Sequence, residues 1–124
     1  MDHTTFRAAV EARDLERMVA HLAPDAVLHS PVTFKPFEGR DAIRTLLAIL
    51  LEVFEDFAYT DELVGPDAQA LIFHAIVGDR QLEGIDILRF GGDGLIADFT
   101  VMVRPMSAVN ALAEAVGAHL AAQA

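Results

Sequence analysis

Ala70-Leu71-Ile72-Phe73-His74-Ala75-Ile76-Val77 is followed by the turn Gly78-Asp79, the run Leu82 to Phe90, the tetrapeptide Gly91-Gly92-Asp93-Gly94, and the run Ile96 to Arg104. Three strand-like runs separated by turn residues read as consecutive antiparallel strands. The glycine-rich tetrapeptide supplies the positive-φ positions of a hairpin loop. Upstream, Phe57, Tyr59, Asp61 and Leu63 alternate with Ala58, Thr60, Glu62 and Val64, and Gly65-Pro66-Asp67 turns the chain, which adds a fourth strand. Before residue 55 the texture is helical. Ile43, Leu46, Leu47, Leu50 and Phe54 form the apolar face of a long helix opened by Gly39-Arg40-Asp41. Phe6, Ala9, Val10 and Arg13 give a short helix behind Thr4 and Thr5, and Asp14 caps a second one carrying Leu15, Met18, Val19 and Leu22. Pro24 is expected to end that helix in a turn, Pro24-Asp25-Ala26. Val27 to Ser30 is a short extended piece stopped by Pro31, and Phe34-Lys35-Pro36-Phe37 reads as loop or edge strand. Beyond Pro105, Ser107 caps a last helix carrying Val109, Leu112, Val116 and Leu120. Helices first and a four-strand meander afterwards predict an α+β fold, one domain over residues 1–124, with helices on one face of an antiparallel sheet.

The strands are apolar on both sides. Leu71, Phe73, Ala75 and Val77 share one face, yet Ile72 and Ile76 flank His74 on the other. In the last run Ala97, Phe99, Val101 and Val103 oppose Ile96, Asp98, Thr100, Met102 and Arg104. One face must meet the helices. Ordinary scatter of surface aliphatics would account for the second, but it is more apolar than a solvated face, which points to a homodimer through Ile72, Ile76, Ile96 and Met102. Asp86 is out of place in Gly84-Ile85-Asp86-Ile87-Leu88-Arg89-Phe90. Period two puts it with Leu88 and Phe90, on the interior side. A carboxyl there is a satisfied core residue, bonded to backbone or to an arginine such as Arg7 or Arg44, or it is the polar group of a ligand pocket. Without a cation, burial would raise its pKa.

Composition narrows the classes. The 124 residues are 53% hydrophobic and carry 19 acidic against 9 basic residues, a formal charge of −10. A nucleic-acid or anionic-membrane partner needs the opposite sign. With no cysteine, thiol catalysis, Cys-zinc and iron–sulfur sites drop out. No pair of histidines has ligand spacing, so neither metal nor cofactor is expected. Gly91 to Gly94 joins two strands and opens no helix, so it is no phosphate loop. Met1-Asp2-His3-Thr4 reads as no secretory leader, and the apolar run Leu46 to Leu51 is too short to span a bilayer, so a cytoplasmic location is expected. His3, His21 and His119 read as solvated, His74 as surface or interface, and Asp61, Glu62 and Asp98 as solvated strand positions.

Ile85-Asp86-Ile87-Leu88-Arg89-Phe90, the glycine-rich loop, Gly94, Ile96 and the final strand resemble the corresponding stretch of bacterial ketosteroid isomerases. The likeness extends to Arg13-Asp14-Leu15, to Ala23-Pro24-Asp25-Ala26 with Val27, Pro31 and Val32, and to Gly39 with Ala42-Ile43-Arg44. It covers residues 4–104 and leaves the last helix outside. His29-Ser30-Pro31-Val32 and Val101-Met102-Val103-Arg104-Pro105 look more like the SnoaL-like branch of the same nuclear transport factor 2-like superfamily. The resemblance implies a cone-shaped cystatin-like α+β barrel, with a curved antiparallel sheet around an apolar pocket, N-terminal helices on its concave face, and dimers through the sheet.

It also implies site residues. Asp86 falls where the isomerases keep a protonated acid that donates to an enolate oxygen. Ser30 falls where they have the catalytic aspartate base, Phe6 where they have the oxyanion-hole tyrosine, and Leu47 where a supporting tyrosine would sit. A serine hydroxyl is no general base for carbon acids, so standard ketosteroid isomerase chemistry is not expected. The Arg and Asp set of the related epoxide hydrolases is missing as well, since Phe73, Ala75, Val77, Phe99, Val101 and Val103 occupy the aligned inward positions. The candidate catalytic residues are therefore Asp86, His29 and Ser30. The candidate substrate-lining residues are Phe6, Leu47, Phe73, Leu88, Phe90, Phe99, Val101 and Val103. The expected function is a cofactor-independent isomerase, cyclase or lyase on an apolar carbonyl compound. The alternative is a non-catalytic, dimeric apolar-ligand-binding or accessory domain.

Overall fold

The computed structural model describes residues 5–123, so His3 and Thr4 lie outside the described residues. Thr5 caps helix α1 (Phe6–Glu11) and Asp14 caps α2 (Leu15–Ala20), each side chain accepting a backbone N–H of the first turn. Strands β1 (Leu22–His29) and β2 (Phe37–Glu38) follow, then α3 (Arg40–Val53). The meander is β3 (Glu55–Val64), β4 (Ala68–Val77), β5 (Arg80–Phe90) and β6 (Ile96–Arg104), and α4 (Met106–Gln123) closes the chain. The six strands form one sheet in the order β2-β1-β6-β5-β4-β3. Helix α4 begins one residue before the expected cap at Ser107. Among the described residues, no helix is long and apolar enough to cross a membrane.

The expected α+β architecture and the four-strand meander are present, but the sheet is mixed. Strand β1 runs parallel to β6, with Val27 beside Asp98 and His29 beside Thr100. Pro24 was expected to make a turn and instead lies within β1. The β1–β6 ladder is irregular between Leu22 and Val27, so no N–H is demanded of the proline there. Bulges between Glu55 and Ala58 and between Tyr59 and Asp61 bend β3.

Period-two burial holds through β4, where Leu71, Phe73, Ala75 and Val77 are buried and His74 is exposed. It fails at the start of β6. Ile96, expected on the open face, is fully buried at 0% exposure. The β5–β6 register shifts between Arg89 and Phe90, so Ala97 is an extra residue, Ile96 pairs with Phe90, and its side chain changes sides. The open face therefore keeps Ile72, Ile76, Ile85, Ile87 and Met102, with Met102 54% exposed.

One backbone contact holds the centre of the sheet. Gly84 lies opposite Phe73, and a Cβ on Gly84 would sit 2.2 Å from the Phe73 ring. Phe73 is 1% exposed and stacks on Phe57 with ring centroids 4.8 Å apart. Gly84→Ala should therefore destabilise the fold by about 1–3 kcal/mol through overpacking. In a Phe73→Leu background the same change should cost less, and denaturant unfolding of the four proteins of this cycle measures the difference.

Candidate functional site

A cavity of about 280 Å³ opens between the helices and the concave face of the sheet. Helix α1 contributes Phe6 and Val10, α3 contributes Leu47, Leu50 and Leu51, and the sheet contributes Leu28, Phe73, Phe99 and Val101. Phe54 and Phe57 add two rings where α3 passes into β3. These are the residues that helical and period-two spacing turn inward, so the lining follows from the same pattern that builds the core.

Asp86 lies on this wall, 7% exposed, the one buried charged or polar residue among those described. The phenol of Tyr59 donates to its Oδ2 at 3.1 Å. Tyr59 sits on β3 and Asp86 on β5, two strand spacings or roughly 10 Å apart, so the contact requires both side chains to lean over β4. The register allows it, because Tyr59 pairs with Phe73 and Asp86 pairs with Leu71, two residues along β4 on the same face. Burial pushes the Asp86 carboxyl up to about 7, and the Tyr59 hydrogen bond offsets part of that rise. Burial, with the charge of Asp86 adding to it, also pushes the Tyr59 phenol well above its ordinary range.

The arginines considered as partners for Asp86 are engaged elsewhere. Arg44 pairs with Glu16. Arg7 pairs with Glu62 at 3.1 Å and with Glu11 at 3.3 Å, and its guanidinium carbon stands 5.5 Å from the centre of the Tyr59 ring. Arg7 thus braces the phenol from behind and leaves the carboxyl without a cation. Glu11 and Arg13 line the cavity, and Arg13 donates to the Leu51 carbonyl, joining the α1–α2 turn to the end of α3. Arg13 adopts a positive φ of 55° to do so.

The other expected site residues lie elsewhere. His29 points away from the cavity, because its neighbour Leu28 is the inward residue, fully buried, and alternation turns His29 to the other face. There its Nε2 lies 3.0 Å from Asp98 Oδ2, and Thr100 donates to the other oxygen of Asp98. Ser30 lines a second, smaller hollow, and its hydroxyl accepts the N–H of Val32. Leu88 is fully buried beneath the cavity wall rather than on it. Phe90 lies beyond the β5–β6 bulge, and Val103 borders a shallow dip on the opposite face with Ile72, Ile85 and Met102. His21 packs edge-on against Phe6, and His119 pairs with Glu52 at 3.2 Å, so neither is simply solvated. Tyr59 was absent from the expected set. Its signal was its alternation in step with Phe57 and its being the chain's single tyrosine.

The sign of the Asp86 shift fixes a pH dependence. Between its ordinary 3.8 and about 7 the folded chain holds a proton that the unfolded chain has released. Folding is therefore weakened as pH rises through this window, by on the order of 4 kcal/mol once the folded group is fully ionised. Asp86→Asn removes that loss while keeping an acceptor for Tyr59. Its stability relative to the unaltered chain should grow from near zero at about pH 4 to several kcal/mol at about pH 8. Urea unfolding across that range checks it, and a constant difference would contradict it.

Residues 3–99 match the SnoaL-like domain family. A steroid delta-isomerase from Pseudomonas aeruginosa superposes with a TM-score of 0.91 at 44% identity, over 95% of this chain and 88% of that one. A bacterial protein with a cystatin-like fold from Silicibacter pomeroyi gives 0.83 at 33% identity, over 86% and 75%. A SnoaL-like protein from Burkholderia thailandensis, 18% identical, shares the fold at 0.67 over 81% and 89%. No curated protein matches the chain. The family match spans most of the chain, and the chain belongs to the SnoaL-like family of the nuclear transport factor 2-like superfamily.

Proposed function

We propose that the cavity binds an apolar carbonyl compound and that the protein is a cofactor-independent enzyme of the isomerase, cyclase or lyase type acting next to that carbonyl. The observation that carries this reading is a buried carboxyl hydrogen-bonded to a phenol on the wall of a mostly apolar cavity, where burial pushes the carboxyl up to about 7. With Tyr59 donating to Oδ2, the proton of the neutral acid resides on Oδ1 and is available to a ligand oxygen. A hydrogen bond from Asp86 to a carbonyl oxygen stabilises the charge that develops there when a neighbouring C–H proton leaves. Glu11, the other carboxyl lining this cavity, is at its exposed mouth and is a candidate acceptor for that proton. Two carboxyls in unlike environments suit acid and base roles.

Standard ketosteroid isomerase chemistry is disfavoured. Phe6 has no hydroxyl, and Ser30 lies outside the cavity that holds Asp86. The likeness to a protein called a steroid delta-isomerase supports the class of reaction without its usual groups. A second reading, ligand binding without turnover, is favoured by the apolar lining, in which Asp86 and Tyr59 are the buried polar groups and Glu11 and Arg13 lie exposed. Deuterium exchange at the carbon next to the carbonyl of a small cyclic enone separates the two. Exchange should exceed the buffer rate and fall as pH rises through about 7. Asp86→Ala should slow it by about 100-fold or more. Exchange at the buffer rate despite binding would leave the non-catalytic reading.

We also propose that the open face, with Ile72, Ile76, Ile85 and Met102, meets a second copy of the chain. A sheet-to-sheet dimer should bury on the order of 1,200–2,000 Å² in total. Sedimentation at micromolar concentration should report a dimer that Met102→Arg converts to monomer. A monomeric unaltered chain at that concentration would reject the interface.

A further inference from the structure

Behind the cavity holding Asp86 lies a second hollow of about 150 Å³, roofed by α4 through Leu112, Val116 and Leu120. Its far wall is Ser30 to Thr33 with Phe37, and among the described residues no charged one lines it. Its hydroxyls are already engaged, Ser30 accepting the N–H of Val32 and Thr33 that of Lys35. Leu28, Leu50, Phe54 and Val101 line both hollows, so the partition between them is one side chain thick. Val101 is also the direct cross-strand partner of Asp86. A ligand oxygen on Asp86 is thus next to the partition. Leu50 and Phe54 are only partly buried, and side-chain rotation is a fast motion. The family match ends at residue 99, before the helix that roofs this hollow.

We infer that the two hollows are one binding tract for an elongated, uncharged ligand. Its carbonyl end sits at Asp86 and Tyr59, and its hydrocarbon tail passes Leu50 and Phe54 to lie under α4. This rests on the proposed carbonyl site and extends it to a substrate class, a ketone on a flexible apolar chain. Native interiors leave few voids larger than a water molecule, and water fills an apolar void poorly, so a hydrocarbon tail is the complementary occupant.

The test is the binding of a homologous series of straight-chain methyl ketones, from butanone to decanone. Calorimetry and the fluorescence of Tyr59, the chain's single tyrosine in a protein without tryptophan, give the readouts. Affinity should rise about fourfold per methylene through the whole series. In Val116→Phe, which fills the second hollow, the rise should stop partway, with the long ketones losing their added affinity and the short ones keeping theirs. Gly117→Leu is a second variant with the same expectation, because Gly117 lines this hollow and a side chain begun there meets nothing within 4 Å. A rise that stops at the same short length in the unaltered chain would overturn the tract and leave the carbonyl site standing. Long-ketone affinity undiminished in both variants would also overturn it. If no ketone of any length binds, the carbonyl site fails and the tract with it.

Discussion

A carboxyl taken out of water must find a cation, a set of donors, or its proton, and the interior of this protein is arranged around the third solution. Asp86 has one neutral donor, Tyr59, at 3.1 Å, and hydrocarbon around it. Arg7 is held by Glu11 and Glu62 and meets the face of the phenol rather than the carboxyl. Had Arg7 reached Asp86, the group would be a structural ion pair and the cavity would be filled by a guanidinium. Its diversion keeps the acid protonated and the cavity open.

The fold serves that arrangement through register. Gly84 gives the Phe73 ring its place on the concave face. Phe73 orders Phe54 and Phe57 beside it, and Tyr59 meets the same ring edge-on at 6.3 Å. The phenol is therefore aimed by packing before any hydrogen bond is counted. The bulges in β3 curve the strand that carries it.

Much of this was legible in the residues. The alternation through Leu71 to Val77 and Asp86 to Phe90 placed the buried face correctly, and with it the carboxyl, because side-chain period in a strand is fixed at two. What the pattern could not show were the points where that period is interrupted. The extra residue at Ala97 moved Ile96 from the open face to the core, and the irregular ladder near Pro24 let a proline lie within a strand. Both depend on partners distant in the chain. The parallel pairing of β1 with β6 joins segments about 70 residues apart and has no local signature. Tyr59 was visible only as a strand residue in step with Phe57, and its partnership with Asp86 spans two strands and needed the register of β4. His29 was expected among the catalytic residues. Leu28 takes the inward position instead, and ordinary alternation holds.

Asp86 holds its proton up to about pH 7 because burial outweighs the one hydrogen bond it accepts. A carbon-13 NMR titration of the Asp86 side-chain carboxyl, assigned by its disappearance in Asp86→Asn, measures this directly. The expected midpoint is about 7, well above the ordinary 3.8. A midpoint at or below that ordinary value would mean that the carboxyl is charged and paired, and would contradict the account.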